Sequence, residues 1–226
     1  MKKDLNLSYI PRAMNTSIRS IFLISLLMFL GVIQSHAQLT VNGAPTPAQL
    51  VTNTLIGTGV SITNVTFSGA ATQRGTFNCA GACNIGIASG VILNSGSNAN
   101  AIGPNNTTGQ GTDTQAGSDP DLNALHPTGT NPQDAAVLEF NFRPASDSMR
   151  FRYVWGSEEY SDYVNSSCND YFGFFISGLG IVGKKNIAVV PNTTTAISIN
   201  TVNNGNAPGG TSPSGPCTNC AYFRDN

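Results

Sequence analysis

Between two strongly hydrophobic segments, residues 154–178 gather Glu158, Glu159, Asp162, Asn169 and Asp170, in a chain of which only 10% is charged. Three chemistries fit such a set: a general acid/base pair, a cation site, or a solvated loop. Acid/base catalysis needs two carboxylates in different environments, or a nucleophile beside its base. Glu158 and Glu159 are adjacent, so on an extended chain they point to opposite faces and cannot address one bond. His126-Pro127 sits in a polar stretch beside no evident activated Ser or Cys, so a triad would need distant partners. A calcium site asks instead for about six to eight oxygens from carboxylates, amides and backbone carbonyls, on loops with fixed ends. Glu158, Glu159, Asp162, Asn169 and Asp170 offer them, and Asp119 and Asp121, flanking Pro120, are a second source. The spacing matches no EF-hand loop. Calcium is thus one expectation for this loop, set against the plainer one of a solvated turn. Tyr160 and Tyr163 beside the acids could stack on sugar rings, as could Trp155, for which core packing is the plainer role.

The N-terminus bears on where such a site would work. Lys2, Lys3, Arg12 and Arg19 precede an apolar run over 21–33 that leads into Gln34-Ser-His-Ala-Gln38. That is a charged region, a hydrophobic region and a small-residue cleavage site, so residues 1–37 are expected to be a signal peptide cut after Ala37, with Met14 a possible alternative start. The run is short of the about 20 residues that a membrane span takes, and no span is expected after cleavage. Four of the 11 basic residues and one of the 12 acids fall before residue 38, which leaves a net charge of −4. Nucleic-acid partners are excluded on that balance, because phosphate recognition needs clustered Lys and Arg. After residue 37, Lys184-Lys185 is the one adjacent basic pair, expected at a turn between strands.

All five cysteines follow residue 38, and an exported chain uses them as disulfides. Cys79 and Cys83, and Cys217 and Cys220, could each close locally or cross-pair, and spacing does not decide. A four-thiolate zinc site is the alternative for two close pairs. Cys168 is left over, either a small loop residue or half of a bridge to a partner elsewhere.

These residues must be held by a scaffold, and the periodicity predicts one made of strands. Residues 46–55 have a short helical spacing, with Thr46 as N-cap and Pro47 in the first turn. From there the period is two: Val60, Ile62, then Val65 and Phe67. Residues 90–94 form an apolar run between glycines, read as a buried strand. Residues 95–134 are almost free of large apolar side chains and predict a long surface excursion, which Leu122 and Leu125 can pin to the core. Residues 136–143 and 149–155 alternate apolar and polar and are joined by a turn-rich stretch, so an antiparallel hairpin is expected, with Glu139 opposite Arg150 or Arg152. Residues 171–177, 186–190 and 196–202 continue as strands. The whole is expected to be all-β, an antiparallel sandwich or jelly roll with a short N-terminal helix. Residues 221–223 begin another apolar stretch close to the end of the chain, so the domain 38–226 is expected to be incomplete at its C-terminus.

At Tyr153-Val-Trp-Gly-Ser-Glu-Glu-Tyr160, at Asn169-Asp-Tyr-Phe-Gly-Phe-Phe-Ile-Ser-Gly178 and at Asn186-Ile-Ala-Val-Val-Pro191 the sequence resembles the bacterial choice-of-anchor L domain. The stretches Gly86-Ile-Ala-Ser-Gly-Val-Ile-Leu93, Ser118-Asp-Pro-Asp-Leu122 and Ala136-Val-Leu-Glu-Phe-Asn-Phe142 agree. The resemblance implies a secreted or outer-surface protein of a Bacteroidetes-like bacterium, with varied anchoring or sorting segments and no established catalytic activity. Cys168 departs from the bulkier residue that the resemblance implies before Asn169-Asp170. The expected function is a non-catalytic surface binding or adhesion module for an extracellular protein or carbohydrate, calcium being the one cofactor considered. A secreted hydrolase with its catalytic residues further along the open reading frame, or a structural spacer, are the alternatives.

Overall fold

The period-two pattern of residues 60–68 survives as a strand with a defect in its middle, and the defect explains the pattern. Apolar residues fall at Val60 and Ile62 and then, out of phase, at Val65 and Phe67. In the pairing with the strand Val137–Pro144, Thr63 lies opposite Asn141 and Thr66 opposite Glu139, so three steps on one strand match two on the other. The extra residue is a β-bulge. Asn64 takes it up at φ 53°, a left-handed conformation that asparagine tolerates better than most residues. The bulge returns Val65 and Phe67 to the face of Val60 and Ile62, and all four are half-buried.

The computed structural model describes residues 39–79, 83–103, 109–126, 132–205 and 216–224, within one compact unit, Ala37–Asn226. The expected signal segment 1–37 lies outside the described residues. In chain order come β1 (Thr40–Asn42), the helical turn α1 (Pro47–Leu50), β2 (Val60–Ser68), β3 (Arg74–Asn78), β4 (Ser89–Leu93), the helical turn α2 (Pro120–Asn123) and β5 (Val137–Pro144). Then follow β6 (Tyr171–Phe172), β7 (Phe175–Gly178), β8 (Ile181–Asn186) and β9 (Ile197–Ser198). Every ladder is antiparallel: β1-β3-β4, β2-β5, β6-β9 and β7-β8, and no barrel closes among them. The all-β expectation holds.

The helical start is where its residue types put it. Thr46 accepts from the Gln49 backbone N–H while the Gln49 side chain accepts from the Thr46 N–H at 2.8 Å, a reciprocal capping box that satisfies two otherwise orphaned donors. The turn continues through a wider coil, Val51–Leu55, and buries Leu50 and Val51 completely.

Four expectations need correction. β5 pairs with β2, not with residues 149–155, which run without a ladder of their own. The alternation in 149–155 nevertheless keeps its phase at most positions, with Met149, Phe151 and Trp155 half-buried and Arg150 and Arg152 exposed. Aromatic contacts hold that run in place of backbone pairing: Phe151 packs on Phe174 at 4.9 Å and Tyr153 on Phe172 at 5.0 Å between ring centres. The expected Glu139 to Arg150 or Arg152 pairing gives way to Glu139 at 3.9 Å from Lys184, while Arg152 donates to the Gly86 carbonyl. Lys184 and Lys185 lie inside β8, and the reversal falls earlier, at Leu179-Gly180, because Gly178 and Gly180 take φ of 154° and 83°, open to glycine and strained for lysine. The strand expected over 90–94 is β4, half-buried and not fully so.

The described residues of 95–134 follow the expected excursion, and one buried side chain holds both its ends. Gln73, fully buried, donates through Nε2 to the carbonyls of Ser95 (2.8 Å) and Asp134 (2.7 Å), while its Oε1 accepts from the Ala70 N–H. Midway, Leu122 packs where residues 171–178 break between β6 and β7. A Cβ on Gly173 would stand 2.3 Å from Phe175 Cε2 and 3.1 Å from Leu122 Cδ2. Gly173→Ala is therefore expected to cost about 1–3 kcal/mol by overpacking, read as a lower denaturant midpoint with an unchanged slope.

Candidate functional site

Residues 156–170 form a loop of turns whose centre is nailed to the core by Val164, 1% exposed. Turn hydrogen bonds from Tyr163 N–H to the Glu159 carbonyl and from Ser166 N–H to the Tyr163 carbonyl shape it. A clamp of three asparagines ties it down. Asn200 donates through Nδ2 to the Ser166 carbonyl and accepts from the Asn165 N–H, and Asn169 Oδ1 accepts from the Asn200 N–H at 3.0 Å. Asn169 Nδ2 donates to the Tyr171 hydroxyl. Asn169 thus works as a strut, and its amide oxygen is already taken.

Below the loop lies a buried floor running on from β9, with Ser198, Ile199 and Asn203 fully buried and Val202 nearly so. Tyr160 stands on that floor, its hydroxyl donating to the Val202 carbonyl and its ring edge-on to Trp155 (5.8 Å) and Phe223 (5.0 Å). Burial, with the nearby charge of Asp170 second, pushes its phenol above the ordinary tyrosine range. Asn203 donates to the Ile199 carbonyl and accepts from the N–H groups of Gly205 and Thr218, which fastens the segment 216–224, and Phe223 with it, onto the same floor. Of the two tyrosines, Tyr160 is packed and Tyr163 is exposed.

The acids divide into two groups. Asp119 caps α2, its Oδ1 accepting from the N–H groups of Asp121 and Leu122, and Asp121 pairs with Lys184, which the hydrogen bond keeps protonated above its ordinary value. Those two carboxylates have structural employment. In the loop, Ser157 Oγ donates to Asp170 Oδ2 at 2.9 Å and accepts from the Glu159 N–H. Glu159 is held only in part from solvent as a residue, yet its Oε2 is sealed and has no hydrogen-bond partner. Burial first, and the Asp170 charge second, push the Glu159 carboxyl up to about 7. Glu158 and Asp162 are half-buried on the same loop. Among the described residues no three His, Cys, Asp or Glu side chains converge as a metal cluster, so a cation here would rest on Glu159 and Asp170 and take its other oxygens from hydroxyl, backbone and water.

A raised carboxyl has a definite effect on stability. Between its ordinary value of 4.5 and about 7, the folded chain binds a proton that the unfolded chain releases, so stability falls as pH rises through that window. Solvent screening of this half-exposed group limits the loss to about 1 kcal/mol. Without added metal, melts are expected to move down from pH 5 to pH 7.5, and Glu159→Gln is expected to flatten that trend.

The family model of the choice-of-anchor L domain matches residues 40–226. The chain belongs to that family. Choice-of-anchor L domains are modules of cell-surface or secreted proteins and are not known as catalytic, which places this domain in that setting. No curated protein and no solved structure matches it. No helix among the described residues is long and apolar enough to cross a membrane. The four paired cysteines of the domain stand at disulfide distance in local pairs, Cys79 with Cys83 and Cys217 with Cys220, at Cα separations of 5.0 and 5.6 Å, while Cys168 is free and exposed. That resolves the choice that spacing left open in favour of local closure. Ser157, Asn200, Asn203 and Phe223 were not singled out as site residues from the sequence. Their roles depend on contacts across 13 to more than 30 positions, as in Ser157 to Asp170 and Asn165 to Asn200.

Proposed function

We propose that this domain is exported through residues 1–37 and acts at the cell surface as a non-catalytic binding or adhesion module, with a calcium-responsive loop at 156–170. The observation that carries the calcium reading is the sealed, unpartnered Oε2 of Glu159 beside Asp170. Two carboxylates that repel one another in a partly dry site are stabilised by a divalent cation, which removes both the repulsion and the orphaned acceptor. Glu158 and Asp162 add charge on the same loop. Asn169, Asp119 and Asp121 already have hydrogen-bond or ion-pair partners and are the weaker contributors. Tyr163, exposed beside the acids, is the ring available to an extracellular protein or carbohydrate, while Tyr160 is packed between Trp155 and Phe223.

Calorimetric titration of calcium into the exported, oxidised protein tests this. One site is expected, weakened at least about tenfold by Asp170→Asn through the loss of one charged ligand. A flat titration would return the acids to the solvated-loop reading. A spacer role predicts the same flat titration together with no ligand, and a hydrolase role predicts turnover that survives Asp170→Asn.

A further inference from the structure

On the other side of the sequence, the edge strand β1 and the turn α1 frame a groove that the loop chemistry does not use. Two shallow depressions, of about 380 and 480 Å³, share Asn42 and Thr54 and so run into one another. The first is lined by Gln49 and Asn53 as well, and the second extends over Thr76 and Phe77 of β3. Neither has a single charged side chain in its lining.

Two carboxamides in this groove are oriented before any ligand arrives. Asn42 Oδ1 accepts from the Ala44 N–H at 3.0 Å, and Gln49 Oε1 accepts from the Thr46 N–H at 2.8 Å. A backbone N–H can bond only the oxygen of a carboxamide, so in each the NH2 group is turned the other way. Both side chains are exposed, as are Asn53 and Thr54. The Phe77 ring lies across the neighbouring strand on Gly90, its Cε1 3.0 Å from where a Cβ would stand. The absence of a side chain at Gly90 is what allows that close approach.

We infer that this groove binds a neutral glycan. Sugar hydroxyls present acceptor lone pairs and donors in close alternation, which fixed amide NH2 groups and threonine hydroxyls satisfy without charge. The C–H face of a pyranose suits a half-buried phenyl ring. An anionic polymer would call for Lys or Arg in the lining, and an apolar ligand for a deeper, drier pocket. The open, connected depressions fit a chain of sugars lying along the surface. This goes beyond the loop at 156–170, with which the groove shares no residue, and rests on the surface-module reading only for the setting in which glycans are met.

The test is affinity electrophoresis of the full exported chain through gels containing β-1,3-glucan, dextran, mannan or xylan, with dextran sulfate as the charged comparison. Retardation by at least one neutral polymer is expected. Asn42→Asp combined with Gln49→Glu should weaken it at least about tenfold by converting ligand-facing donors to acceptors. Both substitutions keep the accepting oxygen, and Glu is itself a standard capping-box partner, so the melt should be unchanged. Val182→Ala, at a fully exposed position of β8 outside both sites, should leave retardation intact. No retardation by any neutral polymer, or retardation by dextran sulfate alone, overturns the inference. Binding that survives the double substitution and disappears in Tyr163→Ala also overturns it, by moving the glycan to the loop while sparing the surface-module reading.

Discussion

Gln73→Leu should remove about 3–5 kcal/mol from the unfolding free energy, a large share of what a domain of this size possesses. The side chain is fully buried and makes three hydrogen bonds to backbone groups of three separate segments: Ala70, Ser95 and Asp134. Leucine fills much the same volume but takes the partner from one N–H and two carbonyls in part-buried surroundings, at about 1–3 kcal/mol each before relaxation. The loss should also be visible in space. Ser95 and Asp134 are the two ends of the excursion, so amide exchange should rise across residues 109–126 and 132–135 beyond any rise in β2 and β5. Equal protection in the two regions, or a change under 1 kcal/mol, would mean that Gln73 does not hold the excursion.

Asn203→Leu is expected to cost about 2–4 kcal/mol and to loosen the loop above it. Asn203 is fully buried and its side chain bonds the Ile199 carbonyl and the N–H groups of Gly205 and Thr218, so the change orphans the Ile199 carbonyl and the Gly205 N–H and leaves segment 216–224 fastened there only by the backbone bridge between residues 203 and 218. Phe223 is then held less firmly against Tyr160, whose other edge contact is Trp155. Trp155 is the only tryptophan in the chain, which makes its fluorescence a direct reporter. The native-state emission should shift to the red in Asn203→Leu before global unfolding. An unshifted emission with a lowered midpoint would show that the floor is damaged without reaching the loop.

What the sequence carries and what it hides can be seen at these same residues. Strands and their inward faces are written in period two, down to the phase slip at Val65 that the Asn64 bulge absorbs. The Thr46 cap is legible because its chemistry is local. Strand partners are not local: β5 reads as half of a hairpin with 149–155, yet β2, some 70 positions earlier, takes that edge. Nothing in the alternation of either segment distinguishes those outcomes, because both bury the same face. The acids of the loop were visible as types and spacing, while their sorting was not. Asp119 and Asp121 look like ligands in sequence and serve as a cap and an ion-pair partner in the fold. Gln73 and Asn203, ordinary polar residues by composition, matter through burial alone, and the asparagine clamp of the loop is formed only when residues 165–169 meet Asn200. The glycan groove was equally hidden, since its parts come from β1, α1 and β3.

The most direct test of the surface module with a calcium-responsive loop is thermal unfolding of the exported protein at pH 7.5 in excess calcium and then in chelator, alongside Asp170→Asn. Calcium at about a hundred times its dissociation constant adds roughly 2.7 kcal/mol, which for a chain of this size moves the midpoint by about 5–10 °C. The wild type should show that shift and Asp170→Asn should not. Coincident wild-type melts in calcium and in chelator would contradict the calcium account and leave Glu159 and Asp170 as two acids on a solvated loop.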